Sequence, residues 1–224
     1  IERMGISFDL FSHTHTEEHA EVALSILKKL DGNGYIEPRI SEEPYDPIAN
    51  QFLPDRYVEG NCPHCNYDSA RGDQCDKCGK TLDPKELINP RSKLNPDANI
   101  EFRETEHLFF KLSEFRDVLL EWLSEGKEHW RPSVINFTRN WLKEGLIDRA
   151  VTRDLDWGIE IPREGYEDKR MYVWFEAVMG YYSASIHWAK NQGKPEEWKK
   201  WWENEESEHY YFMAKDNIPF HTII

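Results

Sequence analysis

The spacing of hydrophobic residues predicts helices along much of the chain. Apolar positions recur at helical intervals in residues 17–30, 113–125 and 133–144, and a glycine follows each stretch within two residues. Thr14 or Thr16 can cap the first helix, and Ser113 the second. A shorter helix with three tryptophans is predicted at 195–203, where the aromatic stripe is typical of core packing.

Other stretches have the pattern of strands. Residues 35–40 and 100–110 read as strands, and 151–162 as strand and turn. Two apolar runs, 171–175 and 209–213, are typical of buried strands, and the first leads into a helix over 176–185. This alternation predicts a parallel α/β sheet, whose ligands would lie in the loops 176–181 and 214–221.

Composition narrows the class of protein. The 224 residues are 39% hydrophobic and 13% aromatic, which indicates a globular chain, and they carry a net charge of −14. That charge disfavours a nucleic-acid surface, although residues 51–100 are nearly balanced, with eight acids and seven bases. No apolar stretch of about 18 residues and no signal segment occur, so we expect a cytoplasmic protein without a membrane partner.

Four cysteines form the clearest chemical motif. They make two Cys-x-x-Cys pairs separated by nine residues, Cys62, Cys65, Cys75 and Cys78. Four thiolates in this spacing suit one tetrahedral, structural Zn²⁺, with Gly79 at the second turn. Two disulfides, free thiols or an iron–sulfur cluster are the alternatives. The histidines His13, His15 and His19, at the start of the first predicted helix, fit a capped, solvated helix start better than a metal site.

Three segments in this order resemble the methionyl-tRNA synthetases, which are class I aminoacyl-tRNA synthetases. They are FLPDRYVEG at 52–60 with the cysteines and DPKELINP at 83–90, YVWFEAVMGY at 172–181, and YFMAKDNIPFH at 211–221. The resemblance implies an α/β chain that is part of a class I nucleotide-binding, Rossmann-like fold with a zinc-knuckle connective insertion. It also implies activation of methionine with ATP and Mg²⁺ to methionyl-adenylate, and transfer to the acceptor end of tRNA(Met) during protein biosynthesis.

The resemblance implies roles for individual residues. It places the methionine side chain against an aromatic and apolar wall formed by Trp174, Ala177, Val178, Tyr181 and His221. It assigns the ATP or adenylate side to Lys215, Asp216 and Arg153, the metal to the four cysteines, and no catalytic residue. It divides the chain into 1–34 of the catalytic domain, the insertion at 35–130 with its zinc knuckle at about 52–93, and the second catalytic half at 131–224.

The sequence also departs from the family pattern. Further cysteine pairs of some relatives are replaced at 45–50 and 92–95, so we expect one zinc, and Ala214 stands where glycine is usual. The chain starts without Met and ends in an apolar run, which we interpret as an internal fragment. A different class I synthetase and a non-catalytic zinc-bearing interaction module remain as alternatives, and the oligomeric state stays open.

We predict that the isolated 224-residue chain does not activate methionine, because HIGH-type and KMSKS-type motifs that hold the triphosphate are absent from it. The measurement is methionine-dependent ATP–pyrophosphate exchange, with the complete protein as the positive control. Exchange by the isolated chain at a rate comparable with the complete protein would contradict the prediction.

Overall fold

The computed structural model describes residues 2–78, 80 and 82–224, with the side chains of Glu2 and Asp216 outside the description. The α-helices are α1 (Glu17–Gly32), α2 (Arg116–Trp122), α3 (Pro132–Glu144), α4 (Val173–Glu176), α5 (Met179–Asn191), α6 (Lys199–Trp202) and α7 (Ile218–Thr222). The strands are β1 (Ile36–Asp46), β2 (Gln51–Phe52), β3 (Val58–Asn61), β4 (Ala70–Arg71), β5 (Ile88–Ser92), β6 (Glu101–Phe110), β7 (Arg149–Ala150), β8 (Thr152–Asp154) and β9 (Lys169–Met171).

The chain forms two compact units. Unit 1 comprises Ile1–Glu37, Phe109–Val151 and Met171–Ile224, and unit 2 comprises Pro38–Leu108 and Thr152–Arg170. The functional division at residues 34 and 130 stays a prediction.

Helix α1 and helix α5 pack together in unit 1. The predicted helix at 17–30 is confirmed, and the Thr16 hydroxyl caps it by accepting a hydrogen bond from the His19 amide at 3.2 Å. Val22, Ala23 and Leu27 form its buried face. Helix α3 begins at Pro132 and ends before Gly145, whose φ of 104° lies in the region that favours glycine, so this helix is also confirmed.

Unit 2 contains an antiparallel sheet of order β4-β3-β5. Glu59 of β3 lies opposite Arg71 on one side and Arg91 on the other, so charges of opposite sign face each other across the strands. The core beneath the sheet combines four apolar side chains with two of the cysteines; its members are Leu53, Val58, Cys62, Ala70, Cys75 and Leu87.

A second sheet, of order β2-β1-β6-β7, includes the two longest strands. The strands predicted at 35–40 and 100–110 are confirmed, and β1 continues to Asp46. Asp46 is fully buried, and its Oδ1 accepts hydrogen bonds from the amides of Ile48 and Ala49 at 2.9 and 3.0 Å. These bonds stabilise the turn into β2.

The prediction of two buried strands in the C-terminal half is wrong. Residues 171–175 end β9 and begin α4, where the amide of Ala177 donates to the carbonyl of Val173 at 2.8 Å. Residues 209–213 form no strand, and the side chain of Phe212 is 95% exposed. Met171 belongs to β9, which pairs with β8, but the chain turns into α4 two residues later. Residues 209–213 have no strand neighbour among the described residues, so the parallel sheet predicted from these two segments does not form.

Two predicted helices are shorter than expected. The stretch 113–125 splits into a 3₁₀ turn at Leu112–Phe115 and helix α2, and Ser113 bonds to Asp148 instead of capping the helix. The tryptophan-rich stretch forms only the four-residue α6, where Trp202 Nε1 donates to Ser185 Oγ at 2.9 Å. None of the helices in the described part of the chain has the length and apolar character needed to span a bilayer.

We predict that Gly72→Ala destabilises unit 2 by about 1–3 kcal/mol, because an added methyl group overpacks the site. A Cβ on Gly72 would lie 2.6 Å from the carbonyl oxygen of Asp55 and 2.9 Å from Cγ of Pro84. The Gly72 amide donates to the carbonyls of Asp55 and Val58, so the backbone has little freedom to move away. The measurement is the free energy of unfolding in urea.

The matched control is Gly32→Ala at the end of α1, where a Cβ would meet nothing within 4 Å. Alanine has the higher helix propensity, so we expect stability to be unchanged or raised by up to about 1 kcal/mol. Equal stability of Gly72→Ala and the wild type would contradict the packing argument.

Candidate functional site

The four cysteine sulfurs converge in unit 2. All four sulfur atoms lie within 4.8 Å of one another, with Cys62 and Cys78 at 3.8 Å and Cys65 and Cys75 at 3.6 Å. These distances are far longer than the bond of about 2.05 Å in a disulfide, and all four thiols are free. They match the edge of about 3.8 Å of a tetrahedron whose metal–sulfur distance is about 2.3 Å. The cluster can therefore hold one metal ion.

The two knuckles have the same backbone closure. The amide of Cys62 donates to the carbonyl of Tyr67 at 2.8 Å, and the amide of Cys75 donates to the carbonyl of Lys80 at 2.9 Å. Asn66 has a φ of 57°, which lets the first knuckle turn back on itself, a role that the sequence did not reveal. Gly79, predicted to serve the second knuckle, lies outside the described residues.

The thiols perturb one another electrostatically. The backbone at Tyr67 lowers the pKa of Cys65, but burial and the three other thiols outweigh it and raise that pKa to about 12. Burial raises the pKa of Cys75, but backbone N–H groups of Cys78 and Lys77 and neighbouring thiols lower it to about 7. A bound cation removes this competition, because it favours the deprotonated form of each ligand.

The predicted methionine wall lies in unit 1. Trp174 is in α4, Ala177 and Val178 form the junction with α5, and Tyr181 is in the first turn of α5. His221 is in α7, and the phenol oxygen of Tyr181 lies 3.0 Å from its Nε2. The structure thus brings Tyr181 and His221 together from segments 40 residues apart.

Two further aromatic residues join this wall. The Trp174 ring stacks on Phe220 with centroids 4.9 Å apart, and the Tyr211 ring contacts both Tyr181 and His221 at 5.0 and 5.5 Å. Burial and the adjacent phenol of Tyr181 raise the pKa of Tyr211. Sequence reasoning did not assign Phe220 and Tyr211 to the site, although both lie inside the third family segment.

Hydrogen bonding fixes the tautomer of His221. Nδ1 lies 2.9 Å from the carbonyl oxygen of Asn217, which only accepts, so Nδ1 carries the hydrogen of a neutral ring. Nε2 is then the acceptor, and the Tyr181 hydroxyl donates to it. Both rings are held by partners of the fold, and Tyr181 nevertheless remains 44% exposed.

The residues predicted for the nucleotide lie in different units. Lys215 is exposed in unit 1 at a 3₁₀ turn, Lys215–Asn217, and the side chain of Asp216 lies outside the description. Ala214 has a φ of −77°, a conformation that any residue adopts. Arg153 is in unit 2, where its guanidinium lies 3.6 Å from the carboxylate of Asp55.

A buried ionic cluster lies beside Arg153. Asp154 accepts hydrogen bonds from Lys169 and from the Thr105 hydroxyl, and its Oδ2 is 3.2 Å from Nε2 of the fully buried His107. Burial raises the pKa of Asp154, but His107 and Lys169 outweigh it and lower that pKa. This cluster positions the strand that carries Arg153, and sequence reasoning did not predict it.

The interpretation of His19 as a solvated residue is wrong. Its side chain is fully buried, with Nδ1 2.9 Å from Ser183 Oγ and Nε2 2.6 Å from Glu176 Oε2. The local sequence could not predict this burial, because both partners of His19 lie more than 150 residues away along the chain.

The class of protein follows from comparison with known families. Residues 1–224 match the family model described as tRNA synthetases class I (M), and the chain therefore belongs to this family.

The curated relatives narrow this class to methionine–tRNA ligases. The chain is 56% identical over 222 residues to the methionine–tRNA ligase of Dehalococcoides mccartyi strain 195, covering 99% of this chain and 40% of that protein. It is 54% identical over 223 residues to the enzyme of Thermomicrobium roseum, covering 100% of this chain and 38% of that protein. The chain thus spans about two fifths of the length of these relatives.

Solved structures confirm the fold class. The chain resembles Mycobacterium tuberculosis methionyl-tRNA synthetase bound by methionyl-adenylate, with a TM-score of 0.59, 20% identity, and coverage of 99% of this chain and 37% of that one. The apo form of that enzyme gives a TM-score of 0.60, 21% identity, and coverage of 99% and 38%. The prediction that the chain is part of a class I, Rossmann-like α/β fold is therefore confirmed. The buried strands predicted at 171–175 and 209–213 are not.

We predict that protein purified without added metal contains about one metal ion per chain, and that its thiols react only after denaturation. Cys62→Ser and Cys75→Ser remove buried ligands, so the metal content should fall to about zero and the melting temperature should fall. Elemental analysis and a thiol titration provide the measurement.

The control is His64→Ala, because His64 lies inside the first knuckle but is exposed and is not one of the four clustered ligands. This variant should keep its metal. Full thiol reactivity in the native wild type, with no metal, would refute the metal site.

Proposed function

We propose that the complete protein carrying this chain is a methionine–tRNA ligase. A carboxylate oxygen of methionine attacks the α-phosphorus of ATP, which releases pyrophosphate and gives methionyl-adenylate. A ribose hydroxyl at the acceptor end of tRNA(Met) then attacks the methionyl carbonyl and releases AMP. This reaction serves translation, so we propose that the protein acts in the cytoplasm. The observation that carries the proposal is the Tyr181–His221 pair, together with the stack of Trp174 on Phe220, in a chain 56% identical to such a ligase.

In this proposal the methionine side chain lies against Trp174, Ala177, Val178, Tyr181 and His221. A thioether is apolar and polarizable, so aromatic walls favour it over water. The wall is held before any ligand arrives, because Tyr181 donates to His221 and His221 donates to Asn217. Such preorganisation reduces the entropy that ligand binding must supply.

We propose that Lys215, Asp216 and Arg153 serve the ATP or adenylate side. Lys215 supplies an exposed ammonium group suited to phosphate oxygens, and a carboxylate at 216 can accept from ribose hydroxyls. Mg²⁺ would accompany ATP and neutralise phosphate charge. Arg153 is paired with Asp55, so binding the nucleotide would either replace this ion pair or add to it.

We propose that the metal in the cysteine cluster is one Zn²⁺ with a structural role. Four thiolates complete a tetrahedral shell and leave no position for a reactive water. Several basic residues near the cluster are paired: Arg56 with Asp73 at 2.7 Å, Lys85 with Glu42 at 2.7 Å, and Arg91 and Lys93 with Glu59. A contact with the tRNA acceptor end would therefore depend on shape more than on net positive charge.

We predict that Trp174→Ala in the complete protein raises the KM for methionine about tenfold or more, since losing aromatic contact area removes at least about 1.4 kcal/mol of binding. The KM for ATP should change little. The measurement is ATP–pyrophosphate exchange with each substrate varied in turn.

Trp174→Phe should recover most of the affinity, because it keeps an aromatic face against Phe220. The control is Trp122→Ala, an exposed tryptophan of α2 in the same unit, which should leave both KM values unchanged. Absence of methionine-dependent exchange by the wild-type complete protein would overturn the proposed function and favour the non-catalytic zinc-bearing module.

A further inference from the structure

His19 is a fully buried histidine that no part of the proposed function uses. It lies in the first turn of α1, and both ring nitrogens have side-chain partners, Ser183 Oγ at 2.9 Å and Glu176 Oε2 at 2.6 Å. Ser183 and Glu176 are themselves 3% and 7% exposed. A polar ring at this depth persists only when its nitrogens are paired, so the three side chains form one interdependent unit.

The two partners flank the helix junction that carries the proposed methionine wall. Glu176 is the last residue of α4, and Ser183 is in the second turn of α5. Between them lie Ala177, Val178 and Tyr181. A single imidazole from α1 therefore ties together both sides of a short segment that contains three of the five proposed methionine contacts.

The arrangement does not suit nucleophilic catalysis, although serine, histidine and glutamate are the members of a hydrolytic triad. The Ser183 hydroxyl is buried, and it bonds to the carbonyl of Gly180 in its own helix at 3.2 Å. With that hydrogen on the carbonyl, the His19 Nδ1–H donates to Ser183, and one proton lies between Nε2 and the Glu176 carboxyl. Each hydrogen shared by the three side chains therefore has an acceptor within the fold, and the buried hydroxyl is not accessible to a substrate.

Among the described residues, the backbone hydrogen bonds of the junction are local. The amide of Gly180 bonds to Ala177 at 3.1 Å, and the amide of Tyr181 bonds to Val178 at 3.3 Å. These bonds hold the turn, and the packing of α5 on α1, with Glu18 paired to His187 and Lys190, holds the later turns of α5. At the junction end, the side chains that reach α1 are Glu176 and Ser183, through His19. A rotation of α5 about the junction would displace Tyr181, whose hydroxyl must stay within reach of His221.

We propose that His19 is a positioning residue for methionine recognition, because its bonds to Glu176 and Ser183 set the orientation of the α4–α5 junction and thereby of Tyr181. The inference rests on the proposed function and assigns to its site a determinant that lies outside the proposed contact residues. His19 acts through Tyr181 and does not touch the ligand.

The test uses His19→Ala in the complete protein, with methionine-dependent ATP–pyrophosphate exchange as the readout. We expect the KM for methionine to rise about tenfold, since small misplacements of a binding group have effects of this order or larger, while the KM for ATP stays within about twofold. His19→Gln should recover most of the affinity, because its amide reaches the Nε2 position and keeps the bond to Glu176.

Two comparisons separate positioning from general stability. Leu27→Ala removes a buried side chain from the same helix, away from the junction, and should lower the melting temperature without changing either KM. In a Tyr181→Ala background, His19→Ala should raise the methionine KM by much less than tenfold, because the group through which it acts is gone. If His19→Ala does not fold, Ser183→Ala removes the bond to His19 together with the local bond to Gly180, leaves the bond between His19 and Glu176, and should raise the methionine KM about threefold.

The outcomes are distinguishable. An active wild type, whose His19→Ala and Ser183→Ala variants lose stability but keep the wild-type KM for methionine, would overturn the inference and leave the proposed function intact. Equal effects of His19→Ala with and without Tyr181 would also overturn it. A wild-type complete protein without methionine activation would overturn the proposed function and the inference together.

Discussion

The pairing of buried polar side chains is the constraint on which both units depend. In unit 1, His19 bonds to Glu176 and Ser183, and Thr138 of α3 bonds to Thr222 of α7 at 2.9 Å. In unit 2, Asp46 closes the turn after β1. An unpaired polar group at such a depth costs about 1–3 kcal/mol, which is a large part of a typical domain's stability. These pairs therefore select one arrangement of the elements that carry them.

In the region around the four cysteines, core packing and metal binding depend on the same side chains. Its core contains few apolar side chains, and two of its fully buried members, Cys62 and Cys75, are also candidate metal ligands. The loops between the ligands are closed by backbone bonds, and the loop between Cys65 and Cys75 adds Ala70 to this core. A core of this size gains much of its stability when four thiolates are fixed on one ion, so metal binding and folding of the module are expected to be one process.

The proposed methionine wall is built on helix ends and not on loose loops. Tyr181 and His221 lie on α5 and α7, and each is held by a bond to a group of the fold. Sites carried by packed helices keep their geometry better than sites on mobile segments. The chain belongs to the class I (M) family and covers about two fifths of the length of the curated relatives, and the HIGH-type and KMSKS-type motifs do not occur in its 224 residues.

The sequence by itself determined the features that depend on local order. The helix at Glu17–Gly32, the strands β1 and β6 and the convergence of four cysteines follow from periodicity, capping and the spacing of two knuckles, which act over a few residues. The family segments also pointed to Tyr181 and His221, whose side chains meet in the structure, and their role toward methionine stays a prediction. Only the tertiary structure decided the fate of residues 171–175 and 209–213, because an apolar run becomes a strand only when another strand satisfies its backbone. It also decided the burial of His19, since the two partners that make this possible lie 157 and 164 residues away along the chain.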